Sequence, residues 1–367
     1  SDVYKRQIPS GRVRWIIIPI PKTSISPIRS DALQRHRKLN VYSMNSSFSK
    51  KLGLISVVFF VLNGLPYEGK AWGFFMQKNI NSHAIYLLPP ELITLYKNNE
   101  FTLKVYATKP DNRRYIDPKE GPRHFIDLDT YDAIDSGFIG LNYSAAKDLY
   151  NQCVEDHHEF GQDGILPWHC LLMIHELTEA MKGGHLEEIL HISGELGHYI
   201  SDAHVPLHTT LNYNGQRSGQ HGIHGLWEST IPELEFEQYD YWIDEELSYW
   251  ENPLEKIWSI ILDSHNMLFS VFSAEYCVSE DVTIPKYSYQ YRQGRAHRTY
   301  SKAFCTRYAE LCEGHIEERY RQAVHAVASV WFTCWVNAGM PQFHDRVIPI
   351  NPSNLDELNH PSSCDHH

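Results

Sequence analysis

His198 and Asp202 lie four residues apart in GHYISDAHVPLH (197–208), and His224 and Glu228 lie four apart in HGIHGLWES (221–229). On an α-helix, residues i and i+4 leave from the same face. Each pair therefore sets an imidazole beside a carboxylate, a donor set that suits a divalent cation and zinc in particular. Pro206 breaks the helix that carries the first pair. His208, just past the break, can turn back toward the same pocket. One such pair is ordinary on a solvated helix face; two pairs with a hinge histidine point to metal binding.

Those side chains need rigid carriers, and the surrounding sequence has helical period. LLMIHELTEAM (171–181) and LEEILHISGELGHYISDA (186–203) repeat apolar residues every three or four positions, and Pro206 stops the second run. Residues 253–276 and 308–336 form two more long amphipathic candidates. Alternating strand patterns are scarce. Polar loops are expected over 109–122 and 212–222. The reading is an all-α, single-domain multi-helix bundle whose long loops surround a metal site.

The chain has 367 residues and a formal charge of −12, with 42% hydrophobic and 21% charged residues, ordinary for a globular protein. Met44, Lys50 and Lys51 precede an uncharged apolar run at 52–65, and Gly69 and Ala71 follow as small residues. That is the pattern of a secretory signal peptide over 44–71, with an apolar run too short to span a bilayer as a helix. Residues 1–43 make no sense ahead of it and read as a leader or mis-called start. The catalytic domain is expected over 72–340, with a polar tail over 341–367. Residues 1–71 hold 12 of the 33 basic and 3 of the 45 acidic residues, so the remainder carries a formal −21. Such a surface repels extended nucleic acid and anionic membrane and favours cations. The seven cysteines include no CxxC motif, and their pairing is not deducible from sequence.

The run His198-x3-Asp202-x5-His208, then His224-x3-Glu228, resembles the zinc-dependent phospholipase C and S1/P1 nuclease superfamily. The resemblance implies an all-helical fold around three zinc ions. Trp72, freed by cleavage after Ala71, matches the family's N-terminal tryptophan, whose α-amine and carbonyl bind zinc. His83 in the first helix, Asp127 in RHFIDLD and His169 in LPWHC match the remaining ligands. One zinc would take His169, His198 and Asp202, with Asp127 bound or close by. A second would take His208, His224 and Glu228. The third would take Trp72, His83 and a bridging Asp202. An insertion separates Asp127 from His169, and His157 and His158 are rivals for the His169 role. His124 reads as structural, His191 as a ligand-orienting or plain residue, and His185 as solvated.

Zinc at such a site activates water near neutral pH and clamps phosphate oxygens. By family analogy Asp127 orients or deprotonates the attacking water, or is a simple ligand. Arg113, Arg114 and Arg123 either reach substrate phosphate or pair with Asp111, Asp117 or Glu120. The implied partners are a phospholipid headgroup or a single-stranded nucleic acid or nucleotide, with no stable membrane insertion and a monomeric chain. Glu228 and the short gap from His208 to His224 favour phospholipid. The Asn/Gly-rich loop at 212–222 and Trp227 favour nucleic acid, with Tyr213 or Trp227 able to stack a base. For Trp227 a core position is the plainer reading. A zinc-binding protein without catalysis is the remaining alternative.

Overall fold

Leu186–Asp202 is the axis on which the rest is arranged. The computed structural model describes residues 73–130, 141–153, 160–292 and 294–343, all within the unit Tyr67–His367. The expected leader and signal segments, Trp72, His157, His158 and most of the polar tail lie outside them.

In chain order the helices are α1 (Phe74–Ile85), α2 (Pro90–Asn98), α3 (Glu100–Tyr106), α4 (Lys109–Arg113), α5 (Tyr143–Cys153), α6 (Leu166–Gly183) and α7 (Leu186–Asp202). Then come α8 (Ile223–Gly225), a π-turn at Leu226–Thr230, and α9 (Ile231–Glu235). After these come α10 (Pro253–Asn266), α11 (Leu268–Glu280), α12 (Lys302–Leu311) and α13 (His315–Asn337). Among the described residues the fold is all-α apart from one hairpin, β1 (Tyr287–Arg292) with β2 (Arg295–Tyr300), paired antiparallel from Tyr287 opposite Tyr300 to Arg292 opposite Arg295.

Two of the long helical patterns are interrupted. The 253–276 run divides at Met267 into α10 and α11. The 308–336 run divides at Gly314, whose φ of 79° is a left-handed conformation that glycine adopts without strain. The expected loop over 109–122 begins with α4, started by Pro110 in its first turn. The segment inserted ahead of His169 contributes α5.

Helix α7 is buried from Ile192 to Asp202 and packs against α1, α3, α6 and α13. A helix enclosed on all sides cannot leave its polar groups to water. Each finds a partner on a neighbour. Tyr96 Oη and Ser193 Oγ are 2.8 Å apart, the Trp331 indole donates to the Ser193 carbonyl, and Asn81 Nδ2 donates to the Gly194 carbonyl. Two glycines allow that closeness. A Cβ at Gly194 would stand 2.4 Å from the Tyr106 Cβ, and one at Gly197 would stand 1.9 Å from Asn81 Oδ1. They bring α3 and α1 against α7 at the level of the metal-type side chains.

Arg113 ties α4 to this axis, with Nη1 2.7 Å from Glu195 Oε1 and Nε 2.7 Å from Glu120 Oε2. Burial would raise Glu195, but hydrogen bonds from His191 and Arg113 outweigh it and hold the carboxyl at about 2. A depressed carboxyl stabilises the fold above its unfolded pKa near 4.5 and loses that contribution as pH falls toward 2. Between pH 5 and 3, urea unfolding is expected to show the parent losing on the order of 1–2 kcal/mol more than Glu195→Gln, allowing for a partly exposed Arg113. Equal losses would remove this account.

Among the described residues Cys170, Cys277, Cys305, Cys312 and Cys334 are free thiols. All but Cys277 are buried and act as small apolar core residues.

Candidate metal centre

Two groups of three side chains converge in the interior, each with ligand atoms within 4.8 Å of one another: His208, His224 and Glu228, and Asp111, His124 and His198. All six residues are buried. Asp202 stands between them, its Oδ2 2.9 Å from His124 Nδ1, 3.3 Å from His198 Nε2 and 4.0 Å from His208 Nδ1.

The orientation of the rings follows from their outer partners. His198 Nδ1 is 2.7 Å from the Ala107 carbonyl and His208 Nδ1 is 2.7 Å from the His124 carbonyl. A carbonyl only accepts, so both Nδ1 atoms carry the proton. In the neutral rings the lone pair of each Nε2 then points inward, the usual way a ligating histidine is set by its second partner. His208 Nε2 meets His224 Nε2 at 3.1 Å, and the Glu228 Oε2 is 2.9 Å from His224 Nε2 and 3.7 Å from His208 Nε2.

These distances test whether the residues suit a metal. Neither carboxylate oxygen of Glu228 has a hydrogen-bond partner, and His224 Nδ1 has none either. Glu228 is fully buried, and burial is the main reason its carboxyl is pushed up to about 8. Burial first, then Arg114, holds His224 down to about 3. A buried, unpartnered carboxylate facing two imidazole nitrogens is costly by itself. A divalent cation satisfies all three at once, and a set of two nitrogens and one oxygen donor suits zinc. The residues fit the group.

Elsewhere the arrangement departs from the sequence expectation. His169 is not in either donor group: it sits in the first turn of α6 with its ring edge-on to Tyr199 at 4.5 Å, and His124 takes the corner assigned to it. His83 is not at Asp202. It is about a third of a turn around α1 from Gln77, and its Nδ1 is 2.7 Å from the Tyr320 hydroxyl on α13. Asp127 also stays outside both donor groups. The Ile126 N–H bonds the His208 carbonyl at 3.0 Å and the Asp127 N–H bonds the Asp163 carbonyl at 2.8 Å, which holds this segment beside the centre. Burial, then the carboxylates of Asp163 and Asp129, push Asp127 to about 7 against Arg217.

Asp111 and His124 were legible only as an arginine partner and a structural residue. The signal available was proximity in sequence: His124 precedes Asp127 by three residues, and Asp111 sits in the same polar stretch. The three arginines are paired, Arg113 with Glu120 and Glu195, Arg114 with Asp111 at 3.4 Å, and Arg123 with Glu120 at 2.7 Å. Trp227 is buried in the core, and Tyr213, half-buried, meets His224 edge-on at 5.8 Å.

Fold and site together define an all-α protein with a buried histidine–carboxylate centre that could hold metal. No protein-family profile and no characterised protein compared by sequence matches the chain. Among solved structures it is similar to the alpha-toxin of Clostridium perfringens from avian strain SWCP. The two share 14% identity and a TM-score of 0.41, over 75% of this chain and 67% of that one. A likeness of that size concerns the general helical arrangement and carries no argument about activity.

Proposed function

We propose that this chain is a zinc-dependent hydrolase of phosphoric esters, acting by preference on a phospholipid headgroup. The observation that carries the reading is the inward convergence of His208 Nε2, His224 Nε2 and the unpartnered Glu228 carboxylate, next to a second group around His124 and His198. His208, His224 and Glu228 would hold one ion, and Asp111, His124, His198 and Asp202 another. Bound there, zinc supplies Lewis acidity toward water and phosphoryl oxygens.

The chain's own residues supply the rest. The Ala107 and His124 carbonyls lock the ligand tautomers, so no ring has to reorient during turnover. Asp127, raised to about 7, is matched to accepting a proton near neutral pH. Tyr213, against His224 at the rim, offers an aromatic face to a headgroup cation or to a base. That face keeps a single-strand nuclease as the second reading. Export of the chain with cleavage near Ala71 and a monomeric, membrane-peripheral state belong to the same proposal. No helix among the described residues is long and apolar enough to cross a membrane.

Purified protein is expected to hydrolyse bis-p-nitrophenyl phosphate, to lose that activity with chelator and to regain it with zinc. Absence of any chelator-sensitive hydrolysis would leave a metal-binding protein without catalysis. Faster release from phosphatidylcholine than from single-stranded DNA or RNA is the expected second result, and the reverse order selects the nuclease.

A further inference from the structure

We infer that the described residues build sites for two metal ions and not three, with Gln77 holding Asp202 in place of a third ion. This rests on the metal-centre reading above and goes beyond it in the number of ions and in the role of Gln77.

The first observation is the set of contacts around Asp202. Its Oδ2 faces His124 and His198, on the side of the two donor groups. Its other oxygen, Oδ1, accepts a hydrogen bond of 2.9 Å from Gln77 Nε2. A carboxylate only accepts, so the amide must present its NH2 end there and not its oxygen. The amide hydrogens carry partial positive charge and repel a cation from that face. The Gln77 oxygen, its only potential ligand atom, is turned away to the Ser201 hydroxyl at 2.5 Å. Gln77 is fully buried, so neither end can swing out to water.

The second observation concerns the other expected donor. His83 lies six residues further along α1, where its ring packs among Tyr320, Tyr241 and Phe236. Asn81, four residues after Gln77 and on the same face of α1, bonds the Gly194 carbonyl of α7. The close approach at Gly197 fixes α1 against α7 in this rotation. Bringing His83 to Asp202 would require α1 to turn by about 120°, which would break both the Gln77 and the Asn81 bonds.

Gln77 is thus a positioning residue. It holds the Asp202 carboxylate, which stands with His124 and His198, in a fixed orientation, as outer partners of ligands commonly do. It also supplies the partial positive charge that a third cation would otherwise bring to Oδ1.

The test is metal stoichiometry on protein purified without an N-terminal tag after processing, by elemental analysis and by zinc titration against a chromophoric chelator. Two equivalents are expected. Gln77→Met, which keeps the volume and removes both hydrogen bonds, is expected to weaken the site that Asp202 serves by roughly 10–100-fold while remaining folded by circular dichroism. Three equivalents, or one, in the parent protein overturn the inference and leave the metal-centre reading intact. No tight zinc at all overturns both. Two equivalents with unchanged affinity in folded Gln77→Met remove the positioning role. Should Gln77→Met fail to fold, the parent stoichiometry still decides the count.

Discussion

Glu228→Gln is expected to move stability in opposite directions with and without zinc. Glu228 is fully buried, and both its oxygens lack hydrogen-bond partners. Its carboxyl stands at about 8, against an ordinary value of 4.5. An acid raised by folding binds its proton more tightly in the folded state. Its contribution is therefore fully present below pH 4.5 and is lost as pH rises through 8. In chelator at pH 8 the wild-type chain must bury a carboxyl that is about half ionised, with only the His208 and His224 rings beside it. Glutamine has the same shape and no charge, so the variant should be more stable there by about 1–3 kcal/mol.

With zinc the order reverses. The ion turns that carboxylate into a ligand, and ligand binding stabilises the folded state by mass action. Glu228→Gln should lose most of the zinc-induced rise in melting temperature and at least about 100-fold in affinity for that site. Thermal scans in chelator and in excess zinc, at pH 6 and 8, check all four corners. If the variant is less stable than wild type in chelator at pH 8, the buried carboxylate has a partner other than metal and the centre must be reconsidered.

Gly164→Ala is the second large effect. Gly164 has φ of +91°, and an added Cβ would stand 2.0 Å from the Phe125 carbonyl oxygen. That obstacle is backbone, so no side chain can swing aside. The same short bridge, Ile126 with Gly164, carries the Asp127 amide to the Asp163 carbonyl and the Leu166 amide to the Phe125 carbonyl. Unfavourable φ and the steric conflict together should cost about 3 kcal/mol or more. For a chain of this size that corresponds to roughly 4–5 °C or more in melting temperature. Gly121→Ala is the control. It meets nothing within 4 Å and needs no positive φ, so it should be nearly silent. Similar losses in both variants would mean that the bridge does not hold the Asp127 segment.

Local spacing carried much of the protein in advance. The helical period over 171–181 and 186–203 corresponds to α6 and α7, because backbone hydrogen bonding sets the angle between successive side chains regardless of what surrounds the helix. The same period puts His198 beside Asp202, whereas His224 meets Glu228 where the chain widens into the π-turn at Leu226–Thr230. Pro206 ends the helical run and starts a 3-10 turn that returns His208 to the centre, a consequence of the proline ring alone.

Contacts between distant segments had no such rule behind them. Whether Gln77 or His83 faces Asp202 depends on the rotation of α1 about its own axis, which its close packing at Gly197 decides. Whether His124 or His169 joins His198 depends on the Gly164 bridge, which lays residues 124–127 along His208 and leaves His169 against Tyr199. Asp111 enters the group because Arg113 pins α4 to Glu195 on α7. The residue types for a metal centre were therefore written in the sequence as short-range pairs. The choice of partners across the centre was made by two glycines and one arginine that set how closely the helices approach.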